Sequence, residues 1–314
     1  MIETVVSVEL PADEKFEIKK QRILPLSGLR GGEKRISIVT GIHGDELEGQ
    51  YVVFELARRI HENIENLRGI VDIYPAMNPM GIDTMMRGIP TFELDMNRIF
   101  PGSENGSMAE FTAARIVRDI SGSDICFDLH ASNMFLMEIP QIRISEESAE
   151  KLVPLAEKAN VDFIWIHGAA TVLQSTLAHS LNSIGTPTLV VEAGVGMRIT
   201  KRYGEQIADG IMNVMREMGI WHGEVPKPRK PIISDSFSDV SYLNAPSSGI
   251  FVPEVSHGAM LRHGELIGRI IDPLSTTVLS EIRSPVDGFL FTIREYPVVD
   301  EGSLLGRILR ENVL

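Results

Sequence analysis

Ile36-Ser37-Ile38-Val39-Thr40-Gly41-Ile42-His43-Gly44-Asp45-Glu46-Leu47-Glu48-Gly49 decides the fold class of this 314-residue chain. Apart from Ser37, apolar and β-branched residues make up 36–40, a glycine breaks the run, and an amphipathic pattern then continues to residue 60. A buried strand that feeds a helix through a short polar turn is the repeating unit of parallel sheets. In such sheets ligands gather beyond the carboxyl ends of the strands. An imidazole (His43) and a carboxylate (Glu46) stand at that place, three residues apart. On a helical turn, positions i and i+3 share a face, so one metal ion could be gripped from both.

The same texture recurs. Strands are expected at 36–40, 69–75, 125–130, 163–166 and 188–192, and helices at 46–60, 108–121, 146–159, 176–184 and 203–218. This alternation predicts an α/β fold, a mixed and largely parallel sheet flanked by helices. His130 and Glu192 close two further strands, so three chemical groups fall on one sheet edge. The catalytic domain is expected over 1–224. Alternate prolines in Val225-Pro226-Lys227-Pro228-Arg229-Lys230-Pro231 mark 225–231 as a linker. Residues 232–314 read as a small all-β barrel or sandwich, because Gly264-Glu265-Leu266-Ile267-Gly268-Arg269-Ile270 is echoed by Gly302-Ser303-Leu304-Leu305-Gly306-Arg307-Ile308. The repeat resembles the biotinyl/lipoyl half-motif, but no lysine follows Lys230, so a carrier role is not expected.

A net charge of −13 argues against nucleic acid and anionic membranes as partners. The single cysteine, Cys126, excludes an intrachain disulfide and a cysteine-based zinc cage, and its apolar flanks predict a buried, inert thiol. No stretch approaches a bilayer-spanning length and the first residues lack a signal-peptide pattern, so a cytoplasmic enzyme is expected. Homo-oligomerisation is compatible with the sequence.

Two histidines and one glutamate, His43, Glu46 and His130, make the three-ligand set of a catalytic zinc site, one Zn2+ per chain, with water in the open position. Asp128 shares a strand face with His130 and is placed to orient a ligating imidazole, of His130 or of His43. Glu192 ends an apolar strand, where an unpaired charge would be unfavourable. It reads as the general base, or else as a salt-bridge partner at the strand exit. Arg98 has the fork geometry for a substrate carboxylate, with Asn97 adding a hydrogen bond. Arg87 is placed to stabilise an oxyanion. Taken singly, each arginine reads first as a surface charge.

His43-Gly44-Asp45-Glu46, Asn78-Pro79, Asp95-Met96-Asn97-Arg98-Ile99-Phe100-Pro101-Gly102, Asp128-Leu129-His130 and Val191-Glu192-Ala193-Gly194 resemble the succinylglutamate desuccinylase/aspartoacylase family, a branch of the zinc carboxypeptidase-like fold. The resemblance implies zinc on His43, Glu46 and His130, Glu192 as base, Arg87 as carbonyl-polarising arginine, and Asn97 with Arg98 on the substrate α-carboxylate. Met96 stands where the family has leucine. No residues match those that would read a β-carboxylate or succinyl group, so bacterial deacetylases of diamino acids stay within the resemblance. The expected activity is zinc-dependent hydrolysis of a small N-acyl amino acid, or a related amide with a free carboxylate, by metal-activated water. The alternatives are a metallocarboxypeptidase acting on peptides and a non-catalytic binding protein on the same scaffold. His257, His263, Tyr242 and Tyr296, all in the β region, are further candidates to face the cleft.

Overall fold

The structure, a computed structural model, describes residues 1–168, 174–235 and 239–311. An antiparallel hairpin, β1 (Ile2–Glu9) and β2 (Lys15–Ile23), opens the chain. It is followed by β3 (Arg35–Thr40), α1 (Glu48–Glu62), β4 (Ile70–Tyr74), α2 (Pro79–Thr84), α3 (Met108–Ile120), β5 (Ile125–Ser132) and β6 (Leu136–Ser145). Then come α4 (Glu146–Ala156), β7 (Phe163–His167), α5 (Leu177–Ser183), β8 (Thr188–Val195) and α6 (Lys201–Glu217).

The strand order β1-β2-β4-β3-β5-β8-β6 has a parallel centre, β4-β3-β5-β8, with antiparallel strands on both sides. This is the mixed α/β architecture that the alternation of patterns predicts. All eight residues of β5 are buried, because both faces of the sheet are covered. The helices read as amphipathic for the same reason. α1 turns Val52, Val53, Leu56 and Ile60 to one face of the sheet, joined there by Leu152 of α4 and Ile207 and Ile211 of α6. Ile116 and Ile120 of α3 and Leu177 and Leu181 of α5 cover the other. Replacing a fully buried member such as Leu56 by alanine costs about 2–5 kcal/mol.

Residues 225–231 form no regular element. Beyond them lie β9 (Ile232–Ser234), β10 (Val240–Asn244), β11 (Gly249–Pro253), β12 (Met260–Leu261), β13 (Leu266–Asp272), β14 (Thr277–Arg283), β15 (Gly288–Arg294), β16 (Val298–Val299) and β17 (Leu304–Arg310). The repeated sequence becomes β13 and β17, each with its glycine third. A side chain on Gly268 would strike the Phe251 ring, and one on Gly306 the carbonyl of Thr292. Strands β14-β13-β11-β16 make a separate antiparallel sheet. Strands β15, β17 and β10 instead extend the main sheet, because β15 pairs with β6 at Thr292↔Glu138 and Arg294↔Leu136. Phe251, Ile270, Leu290 and Ile308 fill the space between the two layers. No helix among the described residues is long and apolar enough to cross a membrane.

Besides the short α2, two regions have no counterpart among the expected elements: the β1–β2 hairpin and β6. In β2 the pattern is masked by Lys20, a charged residue only 3% exposed. In β6 it is masked by Glu138, Pro140, Gln141 and Arg143, polar or helix-breaking residues inside a buried strand.

Candidate active site

The carboxyl ends of β3, β5 and β8 bring His43, His130 and Glu192 to one edge, with His130 and Glu192 directly opposite in the β5–β8 register. They line a cavity of about 690 Å³ together with Glu46, Arg87, Asn97, Arg98 and Asp128. One local expectation is corrected. Helix α1 begins at Glu48, so His43 and Glu46 are not on a helical turn. They meet across an irregular turn instead, closed by Glu46 N–H donating to the His43 carbonyl at 3.3 Å. Close packing dictates this turn. A Cβ on Gly44 would lie 2.0 Å from the Gly81 carbonyl carbon, and Gly44 N–H donates to the Arg87 carbonyl at 3.2 Å. Asn78 in turn caps α2, accepting from Gly81 N–H at 2.9 Å and donating to the Gly88 carbonyl at 3.0 Å, which anchors the loop carrying Arg87.

Glu46 sits between the two imidazoles. Its Oε1 is 2.7 Å from Nδ1 of His43 and its Oε2 is 2.9 Å from Nδ1 of His130. One donor atom from each of the three residues lies within 4.8 Å of the others, and all three are buried. The outer nitrogens face carboxylates: His43 Nε2 lies 3.1 Å from Asp95, and His130 Nε2 lies 3.1 Å from Asp128, the latter without hydrogen-bond alignment. Asp128 therefore serves His130, which sequence alone left open. Asp95 is part of a segment singled out by sequence but had no role there; its position two residues before Asn97, where it accepts from Asn97 N–H at 2.8 Å, is an N-cap signature that could have flagged it.

The electrostatics of this cluster call for a cation. Burial alone would lower the imidazole pKa values, yet Asp95 and Glu46 raise that of His43, and Asp128 and Glu46 raise that of His130 well above the usual value. Burial pushes Glu46 up, and the two imidazoles outweigh it and bring the carboxyl down to about 2. Both oxygens of Asp128 remain without a hydrogen bond although they are buried. Inner nitrogens turned to a shared carboxylate, and outer nitrogens turned to their own, are the donor set and the outer partners that a zinc ion uses. The residues present fit the metal.

Glu192 lies beside Arg143, 3.4 Å from its Nη1. Burial raises its pKa, against the opposing pull of Arg143 and His130. Arg87 donates from Nη1 to Glu46 at 2.9 Å and from Nε to Asp95 at 3.3 Å. Asn97 accepts from Leu177 N–H at 2.9 Å, and the exposed Arg98 side chain donates to the Asn97 carbonyl at 2.8 Å, its one side-chain hydrogen bond among the described residues. His257 and His263 are not on the cavity wall. The first is held by Tyr203 Oη at 3.0 Å and the Phe291 carbonyl at 2.9 Å, and the second by its backbone on Asp287. Tyr242 and Tyr296 are also off the wall, packed on Arg307 and Phe135. His167, His179, Glu138, Arg143, Glu147 and Arg307 do line it; of these Arg307 alone lay in a quoted motif, the glycine repeat, and none had been given a role at the site. Cys126 is fully buried, as expected, and its pKa is raised by burial.

A model of the succinylglutamate desuccinylase/aspartoacylase catalytic domain matches residues 33–218. An N-alpha-acetyl-L-2,4-diaminobutyric acid deacetylase of Halomonas elongata is 27% identical over 285 residues, 88% of this chain and 82% of that protein. Among solved structures, a succinylglutamate desuccinylase/aspartoacylase of Rhodobacter sphaeroides superposes with a TM-score of 0.79 at 22% identity, covering 98% of this chain and 95% of that one. The product-bound ectoine utilization protein of Ruegeria pomeroyi gives 0.78 at 19% identity, covering 97% and 93%. At these identities the two structures speak for the shared fold. With over half of its length matched in the family model, the chain belongs to the succinylglutamate desuccinylase/aspartoacylase family.

Proposed function

We propose that this protein is a zinc-dependent amidohydrolase that removes the acyl group from a small N-acyl amino acid. The observation that carries the reading is the meeting of His43, Glu46 and His130 on the wall of the cavity that Glu192 also lines. His43 and His130 would hold the ion through Nδ1, and Glu46 through its carboxylate. Zinc bound there would polarise the amide carbonyl and render water nucleophilic near neutral pH. Glu192 accepts the proton of the attacking water on a carboxylate oxygen and delivers it to the departing nitrogen; its raised pKa suits both transfers. Arg87 uses Nε and Nη1 on Asp95 and Glu46, which leaves Nη2 to donate to the developing oxyanion. Arg98 and the Asn97 amide hold the α-carboxylate and so set the scissile carbonyl in register.

Charge on the cavity wall supports a finer reading. Arg87, Arg143 and Arg307 are each paired with carboxylates. Among the described lining residues, Arg98 is the arginine without a carboxylate partner, and Glu147 the acid without a basic one. A substrate with one carboxylate and one ammonium matches that pair, whereas a second carboxylate finds no spare cation. The Halomonas relative is named for such a substrate, an N-acetyl diamino acid.

The test is a hydrolysis screen of zinc-loaded protein on N-acetyl diamino acids, N-acetylaspartate, N-succinyl amino acids and short peptides. Turnover should be highest on the first group. Glu192→Gln should keep its zinc and lose about 10²- to 10⁴-fold in turnover. Cleavage of peptides alone, or a wild-type rate in E192Q, would overturn the assignment.

A further inference from the structure

Behind Glu192 a chain of alternating charges reaches into the C-terminal β region. Arg143 of β6 places Nη1 3.4 Å from Glu192 and donates from Nη2 to Glu138 at 2.7 Å. Glu138, only 1% exposed, accepts Arg307 Nη1 on its other oxygen at 2.7 Å and also takes the Gln141 amide. Arg307 belongs to β17, where Thr292 Oγ1 braces it at 3.4 Å and the Tyr242 ring lies 5.8 Å away. The sheet is stitched at the same point: Glu138 is the register partner of Thr292, and Thr292 of Arg307. Glu138, Arg143 and Arg307 all line the reaction cavity.

A guanidinium between two carboxylates settles on the one that offers better geometry, and a forked pair is the strongest form. Released from Glu138, Arg143 would close on Glu192, tie the carboxylate back and hold its charge. Glu138 prevents this by keeping the guanidinium at 2.7 Å from itself and 3.4 Å from Glu192. Glu138 is held from its far side by Arg307.

We infer that Arg143 is a positioning residue for Glu192, and that Arg307 reaches in from the C-terminal β region to set the Arg143–Glu192 spacing through Glu138. That region is then a working wall of the site. The inference rests on Glu192 being the base.

The test uses full-length, zinc-loaded protein. In Glu138→Gln and in Arg307→Met, kcat should fall roughly 10- to 100-fold, with KM and bound zinc unchanged. Arg307→Lys, which can still pair with Glu138, should recover most of the loss. The double variant E138Q/R307M removes both charges of this pair together, leaves neither of the two unpaired, and should show the same fall in kcat. Wild-type kcat in the folded double variant would overturn the inference. So would a loss in which KM, zinc content and melting temperature move in step with kcat, since that marks a purely structural role. E192Q separates the two levels. If it retains turnover, the base assignment falls and takes this inference with it. If it is inactive while the network variants match wild type, only this inference falls.

Discussion

Near the amino ends of β3 and β4, Asp72 is fully buried and ringed by cations. Arg22 grips it with two bonds of 2.7 and 2.6 Å, Lys20 lies at 3.6 Å and Arg35 at 3.5 Å. Asp119 takes Lys20 and the Tyr74 hydroxyl, each at 2.7 Å, and Arg35 is further satisfied by the carbonyls of residues 119, 120 and 121. At the carboxyl ends of the same sheet, Glu46, Asp95 and Asp128 crowd two imidazoles and Arg87. There three carboxylates meet one arginine and two imidazoles whose charge depends on protonation, and both buried oxygens of Asp128 make no hydrogen bond. The first cluster is complete as it stands and serves as a staple. The second is the cluster at which we propose a metal ion. Glu48 supplies a third case: a carboxylate 1% exposed, with no ion-pair partner among the described residues, held by Thr200 N–H at 2.9 Å. Burial there pushes its pKa up to about 7.

The largest test of this contrast removes two ligands at once. Glu46→Ala with His130→Ala should lower bound zinc from about one per chain to background and abolish hydrolysis, as elemental analysis and a turnover assay would show. Full occupancy in that variant would reject the ligand set. Next, Asp72→Asn breaks the compensated cluster. It should destabilise the fold by about 3–5 kcal/mol in denaturant unfolding, because Arg22 loses its two-bond partner and buried Lys20 one of its two nearby carboxylates, while zinc content stays unchanged. A loss of zinc without a loss of stability would erase the distinction between the two regions.

The smallest effect concerns Glu48. Its folded pKa lies above the ordinary carboxylate value, so the folded state binds the proton more tightly. Its contribution to stability is full below the unfolded pKa of about 4.5 and is lost as pH rises through about 7. The loss amounts to at most about 3 kcal/mol. Glu48→Gln should flatten that part of the stability profile between pH 5 and 8. An identical pH dependence in both proteins would contradict it.

Much of this was legible in one sequence. The parallel strands β3, β4, β5, β7 and β8 are predominantly apolar, broken by Asp72 in β4 and by Asp128 and His130 in β5, because burial on both faces leaves little room for alternation. The helices carry one apolar stripe each. Element ends that carry His43, His130 and Glu192 follow from those runs, so their shared edge was readable. The hairpin and β6 were hidden by the same cause: Lys20 and Glu138 are buried ions and Arg143 a half-buried one, with partners that lie far along the chain, such as Asp119, Arg307 and Glu192. Burial of a charge makes sense only once its counter-charge is in place, and no local pattern announces that.

The chain by itself determined the α/β class, the chemical character of the site and which residue types stand at the strand ends, since periodicity and turn chemistry are local properties. Only the tertiary structure decided that Asp128 serves His130, that Asp95 serves His43, and that Arg307 touches the wall behind Glu192. Those pairings join residues brought together by sheet order, and electrostatic contact depends on distance in space, to which separation along the chain is no guide.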